Sequence, residues 1–146
     1  MREERVFGYI PTSAIFAVLF SAQFLIRTAL DWFEPTADFH TRATISTLLG
    51  IGTLLAAGFS ATWRERSFGV GAASGFMTAG LAAVFSMIGV ALLAGTCHDP
   101  QIMAAIRGSG GLGEAFCLPL MMVLPGVCMG FLGGVVCLAI RKAFPA

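Results

Sequence analysis

The stretch FGVGAASGFMTAGLAAVFSMIGVALLAGT, residues 68–96, decides the architecture of this chain. It carries no charged side chain from end to end. A bilayer core is crossed by about 20 helical residues at a rise of about 1.5 Å each. A backbone facing lipid must satisfy its own hydrogen bonds, so a stretch of this kind is a transmembrane helix. Working outward, residues 8–30, 43–63 and 116–140 read the same way, with no acidic residue deep in any of them. The predicted fold is all-α: an integral membrane protein of four transmembrane helices forming a single domain over residues 1–146.

Composition bounds the rest. Of 146 residues 57% are hydrophobic and 12% charged, about half the charged share of soluble domains. The mean hydropathy of +0.85 agrees. A net charge of +1, with no basic cluster or aromatic–basic alternation, excludes nucleic acid as an expected partner. The expected partners are the lipid bilayer and either further copies of the chain or other membrane subunits. Arginine outnumbers lysine eight to one, alongside heavy Ala and Gly use, which points to a bacterial protein. Arg2 and Arg5 precede the first apolar run, but Phe20 spoils the nearest small-x-small cleavage site and the run continues to Ile26, so a retained helix is expected.

With four spans, the N-terminus, the connection at 63–68 and the C-terminus share one side of the membrane. That side holds Arg2, Arg5, Arg64, Arg66, Arg141 and Lys142, six of the nine basic residues. The positive-inside rule then places both termini in the cytoplasm, in a bacterial inner membrane. Tyr9, Trp32, Trp63 and Phe144 fall near helix ends, where aromatic rings favour the headgroup layer.

Small residues mark where helices meet. Gly71, Gly75, Ala79 and Ala83 recur every four residues along helix 3, and Gly126, Gly130 and Gly134 repeat the device in helix 4. Without side-chain bulk two backbones approach closely, and van der Waals contact replaces the missing hydrophobic drive. Helix 3 is expected against helix 4 of the same chain, with self-association as the alternative. Helix 2 carries Gly50, Gly52 and Gly58 among the hydroxyls of Thr44, Ser46, Thr47, Thr53, Ser60 and Thr62. These scatter around the helix, which favours packing over a polar pathway, and such side chains also bond their own helix at i−4. In helix 4, Pro119 is expected in the first turn and Pro125 in the interior, bending the helix.

Polar chemistry is sparse. Gln23, Arg27 and Asp31 form a ridge at i, i+4 and i+8 on the outer end of helix 1, the candidate polar site. Its plainer reading is an arginine snorkelling to the interface and paired with Asp31. The loop at 97–115 begins with Asp99 and Pro100, a good helix start, and Ile102, Met103 and Ile106 share one face. A short interfacial helix is predicted there, closed by the glycine-rich run 108–113. That run lacks the Lys-Ser/Thr of a phosphate loop and follows no strand. Cys97 and Cys117 flank the loop and are a candidate disulfide closing about 20 residues, worth about 3 kcal/mol in the chain-entropy model. Cys128 and Cys137, nine apart on helix 4, point to opposite sides.

No catalytic constellation emerges. Cys-x-x-Cys is absent, Cys97, His98, Asp99 and His40 lack a ligand spacing, and acidic residues stay near helix ends. No cofactor, metal or catalytic residue is expected. The sequence points to a small non-enzymatic membrane protein acting through helix–helix packing, as an accessory, scaffold or assembly component. The alternative is a small homo-oligomeric transporter or channel lined by Gln23, Arg27, Asp31 and the helix 2 hydroxyls.

Overall fold

The computed structural model describes residues 10–33, 39–96 and 119–144, together with positions 100, 103, 104 and 117. Four long helices carry the chain: α1 (Ile10–Phe33), α2 (Phe39–Glu65), α3 (Phe68–Thr96) and α4 (Val123–Ala143). All four spans are long and apolar enough to cross a membrane, the last counted from Pro119. The helices run a few residues beyond the hydropathy minima expected at 30, 43, 63 and 140. Polar residues at a membrane surface still complete a helix, because the backbone there gains from every bond it closes. The chain is therefore a four-helix integral membrane protein.

Among the described residues the backbones of α2 and α3 each come close to both α1 and α4, whereas no Cα of α1 lies within 8 Å of one in α4. The two middle helices thus form the short diagonal of a rhombic bundle. Between them the turn is tight. Arg66 adopts φ 55°, the left-handed cap that ends many helices, and its N–H donates to the Thr62 carbonyl at 2.8 Å.

The packing inverts the pattern of a water-soluble bundle. Buried positions are mainly Ala, Gly, Ser and Thr, while large side chains such as Ile15, Leu48, Leu92 and Leu124 are exposed. Lipid is as apolar as a leucine core, so large residues gain little by turning inward; small ones gain by letting backbones meet.

Three seams result. In the first, α3 runs antiparallel to α4. A Cβ on Gly75 would strike the Gly126 carbonyl and lie 2.9 Å from Gly130 Cα, and one on Gly71 would lie 2.8 Å from the Gly130 carbonyl oxygen. A Cβ on Gly126 would lie 2.5 Å from the Ala79 methyl, and Ala83 is buried in the same helix as Ala79. In the second seam, α2 runs parallel to α4. Leu54, Gly58 and Thr62 face Gly126, Gly130 and Gly134, and a Cβ on Gly58 would overlap the Gly130 carbonyl oxygen. Gly133 makes an equally close approach to the Leu55 carbonyl. Gly130 is thus the point where three helices converge.

The third seam is polar. α1 runs parallel to α3 at a constant offset of 61 residues, seen in Ser13–Ser74 and Ser21–Ala82. The Ser13 and Ser74 hydroxyls are 2.9 Å apart, and Ser74 also lies 3.3 Å from the Ala57 carbonyl of α2. Thr78 donates to the Ser13 carbonyl at 3.4 Å. Ser21 lies 2.8 Å from its own helix's Ala17 carbonyl and 3.1 Å from that of Ala82. Ser13, Ala17 and Ser21 therefore meet Ser74, Thr78 and Ala82, a second four-residue ridge on α3.

Two expectations change in detail. Pro125 lies in the first turn of α4 and the bend falls at Met122, where a short helical piece at 119–121 joins the long helix. A proline ring collides with the carbonyl four residues back, here that of Met121, so the helix breaks ahead of the ring. Met122 N–H bonds the Pro119 carbonyl at 3.3 Å, and Gly126 N–H returns to Met122 at 2.9 Å. Trp32, expected in the headgroup layer, is buried with Val90 against Phe24, Leu25 and Leu93. Trp63 and Phe144 are exposed, and Tyr9 lies outside the described residues.

Candidate functional site

The bundle has one end where α1 finishes and α2 begins, and another that holds the α2–α3 turn. Near the first end, α1, α2 and the start of α4 enclose a cavity of about 280 Å³. Three separate parts of the sequence build it: Phe20 to Arg27 on α1, Ser46 to Leu54 on α2, and Pro119 to Met129 on α4. The α1 and α4 backbones stay apart here, and Pro119, ahead of the bend at Met122, forms part of the wall.

The lining is mostly apolar. Phe20, Leu54 and Met129 lie toward the bundle centre and Phe24, Pro119 and Met122 toward the loop end, where the polar members Gln23, Arg27, Ser46 and Thr47 also stand. Chain direction sets this order, since α1 runs toward that end and α2 away from it. Gly50 keeps the floor low: a Cβ there would meet the Phe20 ring at 3.0 Å and the Gln23 amide nitrogen at 3.2 Å.

The candidate polar ridge divides at this cavity. Gln23 and Arg27 line it, whereas Asp31 does not. Asp31 instead holds Arg27 through a 3.4 Å ion pair, the two side chains being 25% and 21% exposed. A pair at that exposure contributes little stability but fixes where the guanidinium sits. Arg42 of α2 reaches the same end of α1, with Nη1 3.4 Å from the Leu30 carbonyl. Among the described residues no His, Cys, Asp, Glu or Lys lines it.

The helix 2 hydroxyls sort differently. Thr44, Thr47 and Thr53 each donate to their own helix at i−4, all at 2.8 Å, and only Thr62 of the six is fully buried. Sequence reasoning dwelt on these and passed over Ser13, Ser21, Ser74 and Thr78. The available signal was their four-residue spacing with alanines between them. The cavity's α4 wall, with Pro119, Met122 and Met129, was not foreseen either.

Cys117 is exposed; its expected disulfide partner Cys97 lies outside the described residues, as do His98 and Asp99. Cys128 is exposed and Cys137 buried, on opposite sides of α4. In the predicted interfacial helix, Pro100, Met103 and Ala104 are helical and Met103 packs on the Trp32–Val90 cluster. The other positions of that segment, the glycine-rich run included, lie outside the described residues. Among the described residues no three His, Cys, Asp or Glu side chains gather.

Compared with protein families, with characterised proteins and with solved structures, the chain shows no match. Fold and cavity therefore define only a class: a small four-helix membrane protein with a mostly apolar pocket that takes in Gln23 and Arg27.

Proposed function

We propose that the chain is a non-enzymatic accessory component of its membrane, which works by holding one amphipathic, lipid-like molecule between α1, α2 and α4. The cavity carries this reading: most of its wall is apolar, and Gln23, Arg27 and Ser46 are its polar members toward the loop end. An alkyl or ring portion fits against Phe20, Leu54 and Met129, and a polar head fits at Gln23, Arg27 and Ser46. At about 280 Å³ the space is near the lower end of ligand pockets, about 300–1,000 Å³, so it takes a head and the first part of a tail. Thr44, Thr47 and Thr53 spend their hydroxyls on their own backbone, which favours this reading over a transport path along α2.

The glycine and serine seams are used within the chain, so it reads as a preformed unit. Homo-oligomers or complexes with other membrane subunits would then be built through the large exposed side chains. By the positive-inside argument the termini face the cytoplasm of a bacterial inner membrane, and the cavity opens toward the opposite face.

Native mass spectrometry after gentle extraction tests both parts. A co-purifying molecule of lipid-like mass, lost in Ser46→Leu while the fold is kept, is the expected result. Equal retention in that variant, or no bound molecule in either, would overturn the cavity reading. Co-purifying polypeptides support the accessory role; a clean homo-oligomer without them favours the transporter.

A further inference from the structure

The other end of the bundle, away from the cavity, carries an excess of positive charge beside exposed aromatic rings. Arg64 and Arg66 close α2 and its turn, and Arg141 and Lys142 occupy the last turn of α4. Glu65 is the one carboxylate among the described residues there, and it makes no ion pair with any of the four. Residues 1–9 add two arginines and two glutamates, so they leave the sign unchanged. The cationic side is also ordered. The Arg141 guanidinium lies over the Trp63 ring, 4.6 Å from its centroid, and Trp63 stacks on Phe59 at 5.7 Å. Trp63, Phe68 and Phe144 are exposed around it, and aromatic rings are enriched where a span meets the headgroup layer.

We propose that this end binds the headgroup of an anionic phospholipid, with Arg141 as the anchoring cation and Trp63 as the platform that positions it. Charge complementarity selects the occupant: four cations at the depth of lipid phosphates attract an anionic headgroup and leave a zwitterionic one with no net gain. A guanidinium presents paired N–H donors to phosphate oxygens, and stacking on an aromatic face orients that fork. Basic residues close to an anionic surface each strengthen binding about fivefold, an effect that salt screens.

The test titrates the detergent-solubilised full chain with phosphatidylglycerol and with phosphatidylcholine of matched acyl chains, counting retained lipids by native mass spectrometry. Wild type is expected to retain phosphatidylglycerol preferentially. Arg141→Gln should lower that affinity about fivefold, and Arg64→Gln with Arg141→Gln about 25-fold. Arg42→Gln, at the opposite end, and Ser46→Leu, in the cavity, should leave the preference intact, which separates this site from the one proposed above. Inorganic phosphate at the same concentration should not compete, because the acyl chains hold the headgroup at this depth. Equal retention of the two lipids by wild type, competition by free phosphate, or an unchanged preference in a folded Arg64/Arg141 double variant would overturn the proposal.

Discussion

Gly58 of α2 lies so close to the carbonyl oxygen of Gly130 in α4 that a methyl group on Gly58 would overlap that atom. The same carbonyl sits 2.8 Å from where Gly71 of α3 would carry a Cβ. One peptide unit therefore sets the spacing of three helices, and it tolerates no side chain on either neighbour. Stability should consequently be sensitive to glycine position rather than to glycine number.

Gly58→Ala is expected to cost about 1–3 kcal/mol through overpacking. Gly52→Ala, where a Cβ meets nothing within 4 Å, should stay within about 1 kcal/mol of the parent or gain slightly in helix propensity. Gly75→Ile and Gly130→Ile should be worse than Gly58→Ala. Unfolding midpoints in a mixed-micelle titration give the ranking, and equal midpoints for Gly52→Ala and Gly58→Ala would refute the convergence point.

The hydroxyl seam makes a prediction of both signs. Ser13 and Ser74 should show a coupling of about 0.6 kcal/mol in a double-mutant cycle, typical of interhelical bonds in membranes. Ser86 is 1% exposed and its hydroxyl has no hydrogen-bond partner among the described residues; the Ala82 carbonyl one turn back already receives Ser21. Ser86→Ala removes a buried unsatisfied group and should stabilise by about 1 kcal/mol or more. A loss of stability in Ser86→Ala would show that the hydroxyl is bonded in the membrane.

Arg27 separates anchoring from binding. The ion pair with Asp31 is partly exposed, so Arg27→Gln should change stability by no more than about 0.5 kcal/mol. If the guanidinium holds a polar head, occupancy by the co-purifying amphiphile should fall about tenfold. Occupancy unchanged at equal stability would leave Arg27 as an interface anchor only.

The two cysteines of α4 report which face is packed. Cys137 is fully buried and Cys128 exposed, so Cys128→Leu should stay within about 0.5 kcal/mol of the parent, whereas Cys137→Leu should cost about 1–3 kcal/mol through overpacking. Unfolding midpoints decide it. Equal midpoints for the two variants would show that the face carrying Cys137 is not packed in the membrane.

Much of this architecture could be read directly. Four spans, the α3 ridge of Gly71, Gly75 and Ala79, the glycines of α4 and the opposed faces of Cys128 and Cys137 all follow from short-range spacing. The bend ahead of Pro125 was legible as a bend, though not at Met122. Ser74, Thr78 and Ala82 repeat at the same interval as the glycines, but a hydroxyl is ambiguous in sequence. It bonds its own carbonyl when it faces lipid, as Thr53 does, and a neighbouring helix when it faces one, as Thr78 does.

What the sequence determined alone is the set of helices and the faces of each that lack bulk, because a bilayer forces every backbone bond to close within its own segment. Which faces meet is a different matter. α3 is small on two sides, and only three-dimensional fit sends one side to α4 and the other to α1. The cavity is wholly tertiary: residues near 23, 47 and 122 share no local pattern, and they come together because α1 and α4 flank α2 and α3 with their backbones held apart.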